Sequence, residues 1–218
     1  MWIKRQGDFN KTEYLPVFVK RFEASRRVKS CILKITATGI IDINVNGERI
    51  PDYFMPGWTD FNKYVNECEY DLTSLIKESN LIKITVANGW YAGNLGYSMG
   101  SNVYGNEKRL HAEIITQFEN GEIQTIKTDE TWDTYLSDIV SADFFDGEKI
   151  DFTREELSER QKAEVCDFDI RCEKYSYEPV RAIEKIVPRV ICCEKNLIRL
   201  DFGKNFAGVL SFTAKDVR

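Results

Sequence analysis

Leu110-His111-Ala112-Glu113-Ile114-Ile115-Thr116-Gln117-Phe118, then Glu119-Asn120-Gly121-Glu122, then Ile123-Gln124-Thr125-Ile126-Lys127: this stretch decides the fold. Apolar side chains recur at every second position, the period of a strand with one buried face. Asn120-Gly121 is the strongest short-range hairpin signal, because a two-residue type I′ turn needs positive φ at both central residues. The stretch predicts two antiparallel strands, 110–118 and 123–127. The same alternation predicts strands at 17–22, 31–36, 40–45 and 81–86, and Asn46-Gly47 predicts a second hairpin into Glu48-Arg49-Ile50. Helix is scarce: Asp71-Leu72-Thr73-Ser74-Leu75-Ile76 predicts one short helix, with Asp71 or Thr73 as its N-cap. The expected fold class is all-β, an antiparallel jelly-roll-like β-sandwich.

Beyond residue 150 the pattern weakens. Glu155 to Ala163 is charged with few apolar positions, and reads as a solvated linker or a short surface helix. Strands resume at 190–192, with Pro188 just ahead of them, and at 197–202. Asp201-Phe202-Gly203 and Ala207-Gly208 punctuate a further strand, 209–213. The sequence then stops at Asp216-Val217-Arg218 with no partner strand. A lone hairpin is marginally stable. These last strands are expected to open a second β domain of a longer protein, or else to add a final strand to the main sandwich.

Composition excludes several classes. At 43% hydrophobic and 30% charged, the 218-residue chain is globular rather than disordered. Its net charge is -5 and no basic run stands out, which argues against a nucleic-acid partner. No apolar run approaches the ~20 residues that span a membrane. Met1-Trp2-Ile3-Lys4-Arg5-Gln6 has no apolar core behind its charges and is not a signal peptide. The six Cys, at 31, 68, 166, 172, 192 and 193, are spaced irregularly, so they read as reduced thiols of a cytoplasmic protein. Cys166 and Cys172 lie too far apart for a paired zinc motif.

Aromatic and glycine signposts crowd positions 46 to 105: Asn46-Gly47, Pro56-Gly57-Trp58-Thr59-Asp60, Gly89-Trp90-Tyr91 and Tyr104-Gly105. Flat rings on loops suit a carbohydrate-binding surface. Trp58, Trp90 and Tyr91 are candidates to stack on a sugar ring, the alternative being that they anchor loops to the core. Asp60 reads as a turn cap. Asp146, Glu148 and Asp151 form an acidic cluster after Phe144-Phe145, which reads as a solvated or structural loop rather than a glycosidase carboxylate pair. His111 has no Cys or Ser beside it in sequence, and no glycine-rich phosphate loop occurs.

Taken in order, several segments match a known family. They are Trp2-Ile3, Pro16 to Phe22, Asp42 to Gly47, Met55-Pro56-Gly57-Trp58-Thr59-Asp60-Phe61, Tyr70 to Thr73, Asn88 to Gly93, Tyr104-Gly105, Asp146 to Asp151 and Asp201 to Gly208. With them the chain resembles the N-terminal region of bacterial α-L-rhamnosidases, glycoside hydrolase family 78. The resemblance implies an accessory portion of such an enzyme, with a first sandwich over residues 1–175 and the start of a second from 180 to 218. The catalytic (α/α)6 barrel would belong to the rest of the protein. The first sandwich is similar to carbohydrate-binding module family 67, whose members in some cases bind L-rhamnose with calcium. That similarity implies Asp52, just before Pro-Gly-Trp, as a sugar or calcium ligand, and Tyr53 departs from the amide expected beside it. Asn102 and Asn106 complete the implied pocket. The competing expectation is a module that binds no sugar and only packs against the barrel.

Overall fold

In the computed structural model of the chain, the described residues are 1–7, 14–96, 99–154, 160–194 and 197–213. They form two compact units, Met1–Val180 and Arg181–Arg218. In the first unit β1 (Trp2–Arg5), β2 (Pro16–Glu23), β3 (Val28–Ala37), β4 (Ile40–Val45), β5 (Glu48–Arg49), β6 (Asp52–Tyr53), β7 (Tyr64–Asp71) and β8 (Ser79–Ala87) precede residue 88. After it come β9 (Arg109–Phe118), β10 (Ile123–Lys127), β11 (Asp133–Leu136), β12 (Ile139–Asp143), β13 (Gly147–Ile150), β14 (Gln161–Cys166) and β15 (Arg171–Lys174).

Two leaves make an all-β sandwich. One runs β15-β7-β3-β9-β1, with β10 also on β9; the other runs β11-β2-β8-β4-β5. β14 belongs to both: Gln161 and Lys162 pair with β11, while Ala163 to Cys166 pair with β1. A strand that switches sheets makes a corner, and Ala163 sits at that corner, buried. The predicted linker or helix over 155–163 is thereby corrected. Residues 155–159 lie outside the described ones, and 161–163 are strand, because pairing on two sides overrides a charged composition. Within the two leaves pairing is antiparallel apart from β15, which runs parallel to β7, Cys172 beside Val65.

Alternation does what the sequence predicts. In β9 the even-numbered residues from Leu110 to Phe118 are buried and the odd ones are only partly covered. Phe18, Leu33, Ile35, Ile84 and Ile114 meet between the leaves with Trp132, whose indole Nε1 donates to the Lys127 carbonyl at 3.0 Å. Each such aliphatic side chain contributes about 1.5–3 kcal/mol on burial. The hairpin from β9 to β10 forms where the sequence predicts it, with Ile126 opposite Ile114. Its turn differs from the expected type I′. Only Gly121 has positive φ (86°), the Gly121 N–H donates to the Phe118 carbonyl, and Phe118 N–H donates to the Glu122 carbonyl. That is a three-residue loop closed by a glycine in the left-handed region. The Asn46-Gly47 turn does have both residues at positive φ, 55° and 92°. The short helix is a single 3-10 turn, Thr73–Leu75, with Asp71 Oδ1 accepting from Thr73 N–H at 2.9 Å.

The second unit holds one antiparallel hairpin, β17 (Arg189–Glu194) and β18 (Leu197–Asp201), after the two-residue β16 (Val180–Arg181) at the boundary. The strand expected over 209–213 is absent, since nothing pairs with it among the described residues, and 214–218 lie outside them. Among the described residues no helix is long and apolar enough to cross a membrane.

Candidate functional site: an aromatic stack at Trp58

The site grows from a tight approach. Gly89 opens a four-residue helix, α1 (Gly89–Ala92), at φ +53°. A Cβ there would lie 2.6 Å from Ile40 Cγ1 and 2.8 Å from the Ile40 backbone nitrogen, so only glycine fits. Consecutive residues on a helical turn point about 100° apart, which separates Trp90 from Tyr91.

Tyr91 turns inward and is buried. It packs with Phe61, ring centroids 5.4 Å apart and edge-on, and with Tyr104 at 6.5 Å. Its hydroxyl accepts from Arg109 Nη1 at 3.3 Å, and the Arg109 guanidinium lies 4.4 Å over the Phe168 ring. Trp2, Val65 and Ala92 complete this second core. Tyr91 is therefore an anchor, as one of the two readings of the sequence expected.

Trp90 turns the other way, between two rings. Trp58 stacks on it at 5.1 Å and 15°, and Phe144 at 4.3 Å and 27°. Trp90 thus sits inside a run of stacked rings, half-buried between its two neighbours. Phe144 in turn meets Phe54 edge-on at 5.4 Å. Trp58, at the end of the stack, is 51% exposed. Phe54 and Phe145 are exposed nearby in this ring network.

Asp143 ties the loops together. Its Oδ2 accepts from Asn94 N–H at 2.7 Å and its Oδ1 from Phe145 N–H at 2.9 Å. Neither Phe144 nor Asp143 stood out in the sequence as a site residue. The Phe144-Phe145 pair was the visible signal, an apolar doublet just ahead of an acidic turn.

The remaining candidates lie on other segments, Asn102 being tied to α1. Asp52 is buried on β6 and its charge acts on Cys68, Tyr70 and Tyr175. Burial pushes the Cys68 thiol up to about 12 and raises Tyr70 as well. A calcium ion takes about 6–8 oxygen ligands; the groups on which the Asp52 charge acts are one thiol and two phenols. Tyr53 lies under the Arg49 guanidinium, 4.6 Å from its ring. Asn102 is exposed at φ +61°, its N–H donating to the Ala92 carbonyl at 3.1 Å, and Asn106 is half-buried. A cleft of about 450 Å³ lined by Ala24, Arg26, Thr73, Ile76 and Lys77 contains none of the candidates.

In the acidic cluster Asp151 has a structural part. Asp151 Oδ1 accepts from Thr153, and Oδ2 from the Tyr14 hydroxyl at 2.9 Å. These bonds hold its carboxyl below the usual range, opposite to the shift a general acid needs. Asp60 caps its turn, accepting from Asn62 N–H at 3.2 Å. His111 packs on Trp2, ring centroids 5.5 Å apart.

The family model for the alpha-L-rhamnosidase N-terminal domain matches residues 26–186. An alpha-L-rhamnosidase of Streptomyces avermitilis is 36% identical over 132 residues, 60% of this chain and 13% of that protein. Among solved structures, a native α-L-rhamnosidase from Aspergillus terreus superposes with a TM-score of 0.80 and 26% identity, over 94% of this chain and 26% of that one. The Streptomyces avermitilis enzyme complexed with L-rhamnose superposes with a TM-score of 0.78 and 28% identity, over 88% and 20%. The chain spans between 13% and 22% of the length of the curated relatives it matches.

Proposed function

The chain belongs to the α-L-rhamnosidase N-terminal domain family, and from that membership we propose that it is the accessory, sugar-facing portion of an α-L-rhamnosidase. The full protein, on this reading, hydrolyses terminal L-rhamnose from glycosides, and a separate catalytic domain carries the carboxylate pair that hydrolysis needs. The observation that carries the sugar-facing part is Trp58. It stacks on Trp90, itself stacked on Phe144, and about half of its surface, 51%, is exposed. A rigid, half-exposed indole is a platform for the apolar face of a sugar. The methyl group of L-rhamnose, a 6-deoxy sugar, adds apolar contact.

Calcium, with Asp52 among its ligands, is part of this proposal, and the chelator arm of the titration below tests it. Free thiols at all six cysteines support a reducing, cytoplasmic location. Isothermal titration of the chain with L-rhamnose, in calcium and then in chelator, tests the reading. Saturable heat that disappears in Trp58→Ala supports it. No heat in either condition leaves a module that only packs against its neighbours.

One observation favours packing for the second unit alone. Ile183, Val187, Val190, Ile198, Val209 and Phe212 are each at least 63% exposed. A 38-residue unit with so much apolar surface needs cover, which a further domain of the same protein would supply.

A further inference from the structure

Three side chains from three strands converge on the outer face of the first leaf. Glu67 lies on β7, His111 on β9 and Cys172 on β15. Their donor atoms (carboxylate O, imidazole N and thiol S) all lie within 4.8 Å of one another. The register explains the meeting. Cys172 stands beside Val65, two residues from Glu67 and so on the same face. His111 stands opposite Thr36 on β3, the strand between β7 and β9. Phe168 packs on Trp2, which lies against His111, and all three members of the group are half-buried.

Two buried polar atoms here lack partners, while the Cys172 thiol meets the Ile170 carbonyl at 4.0 Å. His111 Nδ1 is buried with no hydrogen bond, and Glu67 Oε1, at 4.0 Å, is too far to accept one. The Thr36 hydroxyl, directly across from His111, is also buried and unbonded. Orphaned buried polar groups ask for a missing partner.

We propose that Glu67, His111 and Cys172 form a binding site for a divalent transition metal of the zinc class. One imidazole, one thiolate and one carboxylate are the mixed donor set of a borderline ion. Calcium and magnesium want oxygen alone. Ligand bonds of ~2.0–2.3 Å place donors in a tetrahedral shell about 3.5 Å apart, so side-chain adjustments of about an ångström close the site. Three protein ligands leave one coordination position for water. The ion would pin β15, the short parallel edge strand, to β7 and β9. Its role is therefore a staple in the accessory sandwich, independent of sugar binding at Trp58.

The test uses the full 218-residue chain stripped of metal. Cobalt(II) addition is expected to give a thiolate charge-transfer band in the near ultraviolet at one equivalent, lost on adding zinc. Saturating zinc is expected to raise Tm by about 5–10 °C. Zinc should shield Cys172, and not Cys193, from iodoacetamide, as read by peptide mass spectrometry. Cys172→Ser and His111→Gln should lose the band, and Cys193→Ser should keep it. Absence of the cobalt band in the folded wild-type chain overturns the proposal. So does equal alkylation of Cys172 with and without zinc, a measurement that needs no variant to fold.

Discussion

Trp58 lies flat on Trp90, ring centroids 5.1 Å apart and planes 15° from parallel. The two indoles thus have unequal tasks, one presented and one enclosed. Trp58→Ala is expected to abolish rhamnose binding while changing unfolding free energy by less than about 1 kcal/mol, since half its surface is already wet. Trp90→Ala should lose binding too, and should cost about 2–4 kcal/mol through the emptied stack. Calorimetry with urea denaturation separates the two outcomes. Equal stability losses would show that Trp58 is simply part of the core.

Gly89→Ala puts a Cβ at φ +53° against the Ile40 backbone. The helix that aims Trp90 must shift, at an expected cost of about 2–4 kcal/mol. The exciton signature of the stacked indoles in circular dichroism should shrink with it. An unchanged signature would mean that Gly89 does not set the direction of Trp90.

Asp143→Ala removes the acceptor for two backbone N–H groups, those of Asn94 and Phe145. Leaving both unbonded should cost about 1–3 kcal/mol. Hydrogen exchange at these two amides is expected to accelerate ahead of global unfolding. Asp143→Asn, with one carbonyl oxygen left to accept, should fall between alanine and wild type.

Lys108 supplies a pH dependence. Burial lowers its ammonium from 10.5 to about 8 in the folded chain. Between those values the unfolded chain holds a proton that the folded chain has released, so stability rises with pH across that window. Below it the folded state bears the whole desolvation cost. Lys108→Met should therefore be more stable at pH 7, by about 1–3 kcal/mol, with the gain fading by 10.5. Denaturation at neutral and alkaline pH checks this, and a gain equal at both would exclude the ionisation as its source.

Strand positions were legible because alternation is local: Ile40–Val45 and Ile123–Lys127 fall where the sequence predicts them. The hairpin at Gly121 was legible too, but its turn type depended on loop length, which the dipeptide does not state. β14 was hidden because its pairing lies across the whole chain, in strands near residues 2–5 and 133–134. The fates of Trp90 and Tyr91 could not be divided by sequence, since adjacent aromatics look alike until a helical turn separates them. Glu67, His111 and Cys172 are far apart in sequence and meet only through a parallel edge strand, an arrangement no spacing rule encodes.

The shared strand also sets an order of events during synthesis. β1 leaves the ribosome well ahead of one of its partners, β14, which begins at Gln161. At translation rates of about 5–20 residues per second, the opening segment waits roughly 10–30 s for that strand. Until then the corner joining the leaves cannot form, and Trp2 and Ile3 must be kept from competing edges. A nascent chain arrested before residue 161 should hold β1 protease-accessible, and one released past 166 should bury it in a single cooperative step.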